Sequence, residues 1–77
     1  MNYKKRITVD PNIMVGKPVI TGTRIPVELI LTKLAQKMNV HEILKDYPRL
    51  TEEDIRAAIL YASDLLKIEE VYPIKAA

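Results

Sequence analysis

Both glycines of this 77-residue chain lie in one stretch, residues 16–27, with the sequence GKPVITGTRIPV. Glycine beside lysine or threonine is typical of loops that hold phosphate groups. Such a loop needs a glycine, four further residues, and then Gly-Lys-Ser/Thr at the start of a helix. Gly16-Lys17 is followed by a proline, and Gly22-Thr23 lacks both the lysine and a glycine at the required distance before it. Two glycines are also too few for a dinucleotide fingerprint, so the stretch is not predicted to bind nucleotides.

Side chains that could catalyse a reaction are few. His41 is the only histidine, and Glu42 and Asp46 lie near it on the same predicted helix, which would permit an acid–base pair. A histidine in the first turn of a surface helix is more often simply exposed, and we favour that interpretation. The acidic run at residues 52–54 could hold a hard cation, but the positive end of a helix dipole explains it better. With no cysteine in the chain, we predict no enzyme activity, no metal site and no cofactor.

The basic side chains are distributed unevenly. Residues 1–24 contain five basic residues and one acidic residue, a net charge of +4, whereas residues 25–77 contain seven basic and nine acidic residues, a net charge of −2. A basic segment ahead of an acidic body suits contact with phosphate. The alternative is an ordinary solvated surface, and charge alone does not separate the two. The five basic residues are Lys4, Lys5, Arg6, Lys17 and Arg24.

Two short strands and a corner are predicted to hold this basic segment. Residues 6–9 alternate in polarity and end at a turn, and residues 19–21 can form a second strand, so residues 1–25 resemble a β-hairpin-like arm. Gly22-Thr23 then turns the chain, and Gly22 is predicted to adopt a backbone conformation closed to other residues. Pro26 is predicted as the first helical residue, with Ile25 extended before it.

Helical periodicity dominates the rest of the chain. The first helix has Leu29 outside its apolar stripe, either as a contact for another chain or as an exposed leucine. Two further helix starts carry the same capping signature, Asn39 with Glu42 and Thr51 with Asp54. The third helix is predicted to end near Lys67. The predicted buried stripes are Val27, Ile30, Leu31, Leu34 and Met38 in the first helix, and Ile55, Ala58, Ile59, Ala62 and Leu66 in the third.

This layout predicts a mainly α fold, with a trihelical helix-turn-helix over residues 26–68. The tail, residues 69–77, is either a partner-binding strand through Val71, Tyr72 and Ile74 or a frayed end. A chain this short, without disulfides or a metal, is expected to gain stability by association, and we predict a homodimer. It has no apolar run approaching 18 residues and no secretory signal, so we expect no membrane contact and a cytoplasmic location.

The sequence is similar to a known family over about residues 6–70. The stretch ITVDPNIMVGKPVITGTRIPVELIL, residues 7–31, resembles the opening signature of the domain of unknown function family numbered 433, and residues 42–62 resemble its second half. The resemblance implies a homeodomain-like or winged-helix-like domain. Members are often considered antitoxins of VapB type, which pair with a PIN-like ribonuclease toxin and bind their own operator DNA. The matching positions include Gly16, Pro18, Gly22, Thr23 and Arg24, and Pro26 is predicted as a further structural residue of the same stretch.

The expected function is therefore that of an antitoxin-like DNA-binding protein. Phosphate contacts are expected from the five basic residues of the arm, with Arg49 and Arg56 in addition. The acidic start of the third helix fits poorly with direct readout of bases. Arg24 could instead pair with a carboxylate inside the fold. The alternative function is a protein-interaction module that never binds nucleic acid, with Leu29 and the tail as its contacts.

Overall fold

The computed structural model describes residues 3–68, which form a mainly α domain. Two short antiparallel strands precede three helices, and the turn between the second and third helices gives the predicted helix-turn-helix order. This confirms the predicted fold class. A 3-10 turn opens the described part of the chain, and we call it the N-terminal turn. The elements are the N-terminal turn Tyr3–Arg6, β1 Ile7–Thr8, a second 3-10 turn Met14–Gly16, β2 Val19–Ile20, α1 Val27–Ala35, α2 Val40–Asp46 and α3 Glu52–Ile68.

The two strands are shorter than the sequence pattern suggested, at two residues each. Ile7 pairs with Ile20 and Thr8 pairs with Val19. A further bond, from the Thr21 N–H to the Arg6 carbonyl at 2.9 Å, extends the pairing by one step. Both β2 residues are buried, so this small sheet holds the N-terminal turn and the core together.

α1 begins one residue later than predicted. Pro26 is the residue before the helix and has an extended backbone, with φ −69° and ψ 147°. Its position is fixed from outside the helix, because Pro26 bridges to Val19 and the Val27 N–H donates to the Pro18 carbonyl at 2.9 Å. These contacts keep the backbone extended up to Pro26, and the helix begins at Val27. The prediction of Pro26 as the first helical residue is therefore wrong by one position.

Both predicted capping boxes are present. The Asn39 side chain accepts the Glu42 N–H at 2.8 Å, and the Glu42 carboxylate accepts the Asn39 N–H at 3.0 Å. At the start of α3, Thr51 Oγ1 accepts the Asp54 N–H at 3.2 Å, and Asp54 Oδ2 accepts the Thr51 N–H at 2.9 Å. Each box satisfies backbone donors that a helix start otherwise leaves unpaired.

The core lies where β2 and all three helices meet. The predicted α1 stripe is confirmed, because Val27 and Ile30 are buried and the other three members pack against the core. On α3, Ile55 and Ala58 are buried as predicted. Ile59 and Leu66 are 45% and 73% exposed, so their predicted burial is wrong. Within residues 3–68, α3 packs against the N-terminal turn, β1, α1 and α2, and these contacts leave Ile59 and Leu66 exposed. The core residues are Val19, Ile20, Val27, Ile30, Ile43, Leu50, Ile55, Ala57 and Ala58.

In the part of the chain that the structure describes, no helix is both long and apolar enough to cross a membrane.

Candidate nucleic-acid interface

A hydrogen-bonded corner joins β2 to α1 and presents the GTRI segment. Gly22 has φ +79°, the left-handed conformation that was predicted for it and that other residues rarely adopt. The Thr23 hydroxyl donates to the Ile20 carbonyl at 2.7 Å and accepts the Ile25 N–H at 3.0 Å. The Ile20 N–H donates to the Ile25 carbonyl at 3.0 Å and closes the loop. These bonds explain why glycine and threonine occupy this corner, and they fix where Arg24 leaves the backbone.

Two arginines from distant parts of the chain meet at this corner. Arg49, in the turn before α3, donates from Nη2 to the Gly22 carbonyl at 2.7 Å. Arg24 is exposed, and within residues 3–68 it has no ion pair or hydrogen bond. The carboxylate partner considered for Arg24 is therefore absent from the described part of the chain. Both side chains line a depression of about 450 Å³, which we call the corner depression.

The lining of the corner depression is cationic. Its other members are Thr8, Ile13, Gly22 and Thr23, so among residues 3–68 no carboxylate lines it. Two guanidinium groups beside an open depression without a counter-charge can hold an anion through directed N–H donors. Sequence reasoning missed Thr8 and Ile13. The pairing of β1 with β2 brings Thr8 to this corner, and Ile13 reaches it from the loop that follows β1.

The N-terminal turn is packed onto α3. The Tyr3 ring meets the edge of Tyr61 at a centroid distance of 6.5 Å and an interplanar angle of 76°. The Tyr3 hydroxyl donates to the Asp64 carboxylate. The predicted β-hairpin-like arm is thus an integral part of the fold, with Lys4 and Lys5 on its exposed side.

The Tyr3–Asp64 bond makes a pH-dependent contribution to stability. The hydrogen bond from Tyr3 lowers the pKa of Asp64, assisted by the charges of Lys67 and Lys4, and the same bond raises the pKa of Tyr3. Because folding lowers the pKa of Asp64, its ionised carboxylate stabilises the fold at pH values above the ordinary carboxyl pKa of about 4. That contribution is lost as the pH falls through the lowered pKa.

We expect Tyr3→Phe to destabilise the protein at pH 7 and to have a smaller effect near pH 3, as measured by urea denaturation at both values. Tyr47→Phe is the matched control, because the Tyr47 hydroxyl makes no hydrogen bond within the described residues. If Tyr3→Phe lowered the free energy of unfolding equally at both pH values, the stabilising bond would not depend on the ionisation of Asp64.

Arg6 binds a carboxylate of its own chain. Its Nη1 lies 3.1 Å from Asp54 Oδ1, and the side chains of Arg6 and Asp54 are 39% and 10% exposed. Asp54 therefore caps α3 and neutralises Arg6 at the same time. The acidic start of α3 consequently presents two exposed carboxylates, those of Glu52 and Glu53, where the sequence suggested three.

The remaining predicted residues are dispersed. Lys17 is exposed and lies 2.6 Å from Glu28, so its charge is paired, while Arg56 is exposed on α3. Leu29 is half-buried and is not among the residues packed against the core. His41 is exposed as expected. The tail residues Val71, Tyr72 and Ile74 lie outside the described residues.

A second concave surface was not predicted. It is an apolar groove of about 240 Å³ between α1 and the C-terminal half of α3, with Lys17 and Glu28 also lining it. Across residues 3–68, no group of three or more histidine, cysteine or acidic side chains is placed to hold a metal ion. The apolar members of the groove are Pro18, Val27, Leu31, Tyr61, Ala62 and Leu65.

Fold and site together define a small three-helix domain with a cationic corner ahead of its last helix. The chain belongs to the family described as protein of unknown function (DUF433), whose model matches residues 7–62. The resemblance seen in the sequence is thereby confirmed.

Individual proteins from several organisms are similar to this chain. The chain is 39% identical over 56 residues to the uncharacterized protein y4eO of Sinorhizobium fredii. The aligned residues make up 73% of this chain and 25% of that protein. It is 67% identical over 24 residues to an uncharacterized protein of Archaeoglobus fulgidus, covering 31% of this chain and 67% of the other. The crystal structure of a DUF433 member protein from Anabaena variabilis superposes with a TM-score of 0.77 at 32% identity, over 84% of this chain and 64% of that one. The chain thus spans a quarter of the first relative and less than two thirds of the solved one.

Proposed function

We propose that this chain is an antitoxin-like DNA-binding protein. It binds operator DNA as a homodimer, neutralises a PIN-like ribonuclease by direct contact, and acts in the cytoplasm without a cofactor. The observation that carries the proposal is the cationic corner, where Arg24 and Arg49 flank a depression that no carboxylate of residues 3–68 lines.

The corner suits a phosphodiester group. Guanidinium groups bind phosphate through two parallel N–H donors, and phosphate contacts fix the register of a protein on duplex DNA. The bond from Arg49 to the Gly22 carbonyl holds one guanidinium in place before any ligand arrives, which lowers the entropy lost on binding. Because Arg49 lies in the turn before α3, a phosphate at this corner places the start of that helix close to the DNA.

The ion pair between Arg6 and Asp54 also favours an arrangement with the start of α3 close to the DNA. A fully charged acidic start of α3 would repel a polyanion, and this pair removes one of the three negative charges. Lys4 and Lys5, exposed on the N-terminal turn, add positive charge on another side of α3. We therefore expect Arg24 and Arg49 to make the main phosphate contacts, with further contacts from Lys4, Lys5 and Arg56. Arg6 and Lys17 form ion pairs within the chain and contribute less.

A salt titration of DNA binding tests the proposal. If about four phosphates are neutralised per protomer, log affinity falls against log salt with a slope near −3.6. In the double variant Arg24→Glu with Arg49→Glu, we expect at least a ~30-fold loss of affinity at low salt and a slope smaller in magnitude by about 1.8, because each lost phosphate contact removes about 0.9.

Lys37→Glu is the control for net charge. Lys37 is exposed beyond the end of α1, opposite the end of that helix that meets the corner. One charge reversal there should leave the slope within error of the wild-type value. A wild-type slope near zero, or equal losses from the control and from either single corner variant, would refute the DNA-binding site.

The apolar groove favours a second candidate, a protein-interaction module that does not bind nucleic acid. Its lining of Leu31, Tyr61 and Leu65 beside the Lys17–Glu28 pair is typical of a surface that receives an apolar segment. The same titration separates the two functions, since an interaction module shows no salt-dependent affinity for DNA.

A further inference from the structure

Three consecutive residues of the loop between β1 and β2 have a left-handed backbone. The φ angles of Met14, Val15 and Gly16 are 49°, 57° and 80°. Glycine adopts this conformation freely, whereas the β-carbon of other residues is crowded there, and a β-branched valine rarely adopts it at all. We call these three residues the left-handed turn. Its valine is held in a strained conformation.

A helix ending does not account for this strain. The remaining non-glycine residue with a positive φ among residues 3–68 is Lys37, which follows α1. There the Lys37 N–H donates to the Leu34 carbonyl and the Met38 N–H donates to the Lys33 carbonyl, the bond pattern with which many helices end. The left-handed turn follows no α-helix, so its backbone conformation needs another explanation.

Hydrogen bonds keep the left-handed turn in this shape. The Gly16 N–H donates to the Ile13 carbonyl at 3.1 Å, and the Ile13 N–H donates to the Asp10 carbonyl at 2.9 Å. The carboxylate of Asp10, the only acidic residue between β1 and β2, accepts the Asn12 N–H at 2.8 Å. The loop around the turn therefore fixes the strained conformation, as the persistence of such strain requires.

The left-handed turn presents Val15 to solvent. At 94%, Val15 is the most exposed large hydrophobic side chain of residues 3–68. Burial within the single chain therefore does not offset the strain of its backbone. Strained residues cluster at sites where proteins bind their ligands. We therefore interpret Val15 as a contact for a molecule outside the chain.

The left-handed turn lies beside the corner depression. Ile13, whose carbonyl closes the turn, lines that depression together with Arg24 and Arg49. Phosphates border both grooves of duplex DNA, so a phosphate held between these two arginines brings a groove close to the turn. Apolar side chains contact thymine methyl groups in the major groove and insert between base steps in the minor groove.

We propose that Val15 enters a groove of the bound DNA, next to the phosphate that Arg24 and Arg49 hold. The cationic lining of the corner depression, to which residues 3–68 add no carboxylate, favours DNA over an apolar protein segment as the molecule that Val15 meets. The inference rests on the proposed DNA binding and adds the residue that contacts the groove. Because Val15 is uncharged, its contact raises the affinity without changing the number of phosphates neutralised.

Val15→Gly is expected to make the protein more stable and its DNA binding weaker. Glycine accepts the left-handed backbone, and the exposed valine contributes little burial to the free protein, so the melting temperature should rise by about 4 °C. Loss of a buried valine contact should lower the affinity for duplex DNA by about 10-fold. The slope of log affinity against log salt should stay at its wild-type value.

Val9→Gly is the matched control. Val9 belongs to the same loop and is 56% exposed, but its φ is not positive. Glycine therefore relieves no strain at this position and only adds freedom to the unfolded chain, so the melting temperature should fall. The affinity of Val9→Gly for duplex DNA should equal that of the wild type.

Sodium polyphosphate separates the groove contact from the phosphate contacts, because it offers phosphate groups and no groove. Val15→Gly should bind it with wild-type affinity, whereas Arg24→Glu should lose affinity for both ligands. The inference alone is overturned if Val15→Gly binds duplex DNA as tightly as the wild type, loses affinity for both ligands equally, or melts at a lower temperature. A wild type without salt-dependent affinity for duplex DNA overturns the proposed function and this inference together.

Discussion

Replacing Ile43 with alanine is expected to leave most of the protein unfolded at 25 °C. Ile43 is completely buried and belongs to the core cluster that joins α2 to α1, α3 and β2. Truncating a buried isoleucine to alanine lowers the free energy of unfolding by about 2–5 kcal/mol. The loss includes the hydrophobic contribution of the removed atoms and the cost of the cavity left behind. A domain of this size rarely has more than about 3–5 kcal/mol in total, so the change is as large as the stability itself.

Urea denaturation followed by circular dichroism measures this effect. Ile43→Val provides a graded comparison, with an expected loss of about 0.5–1.5 kcal/mol and a folded baseline still visible. Val9→Ala is the surface control, because Val9 is 56% exposed and its truncation should change the free energy of unfolding by less than about 0.5 kcal/mol. If Ile43→Ala unfolds at the same urea concentration as Val9→Ala, the core assignment is wrong.

Asp54→Ala is expected to have the second largest effect, a loss of about 2–3 kcal/mol in the free energy of unfolding. One Asp54 oxygen accepts the Thr51 N–H and the other binds Arg6, so a single truncation removes the α3 cap and the contact that ties the N-terminal turn to that helix. The Thr51 N–H is left without its acceptor, and the half-buried Arg6 guanidinium without its carboxylate.

Glu53→Ala is the matched control for Asp54→Ala. Both residues lie in the first turn of α3, but Glu53 is exposed and should contribute only its interaction with the helix dipole, less than about 1 kcal/mol. A double-mutant cycle with Arg6→Ala separates the ion pair from the cap. We expect a coupling energy of about 0.5–2 kcal/mol, and a coupling of zero would mean that Asp54 acts as a cap alone.

Local chemistry explains why much of the fold could be predicted. The two capping boxes, Asn39 with Glu42 and Thr51 with Asp54, involve residues three positions apart, and such contacts are fixed by the sequence around them. The buried stripe of α1 and the left-handed conformation of Gly22 have the same local origin.

Contacts between distant residues explain what could not be predicted. Arg6 with Asp54 and Arg49 with the Gly22 carbonyl span 48 and 27 positions, and nothing near either arginine indicates its partner. The left-handed Met14 and Val15, with φ 49° and 57°, carry no sequence signal that we can identify. Periodicity correctly marked Ile59 and Leu66 as apolar positions of a helix face, but periodicity cannot tell whether the chain supplies something to cover that face.

The packing of the N-terminal turn on α3 has a consequence for how the protein is made. Tyr3 contacts Asp64 and Arg6 contacts Asp54, so the N-terminal turn gains these partners only after α3 has been synthesised. The core itself needs Ile55 and Ala58 from that same helix. The domain therefore completes its fold only after α3 has been synthesised. Until then the apolar side chains of β2 and α1 remain accessible to chaperones and proteases, and the rate of translation sets how long that exposure lasts.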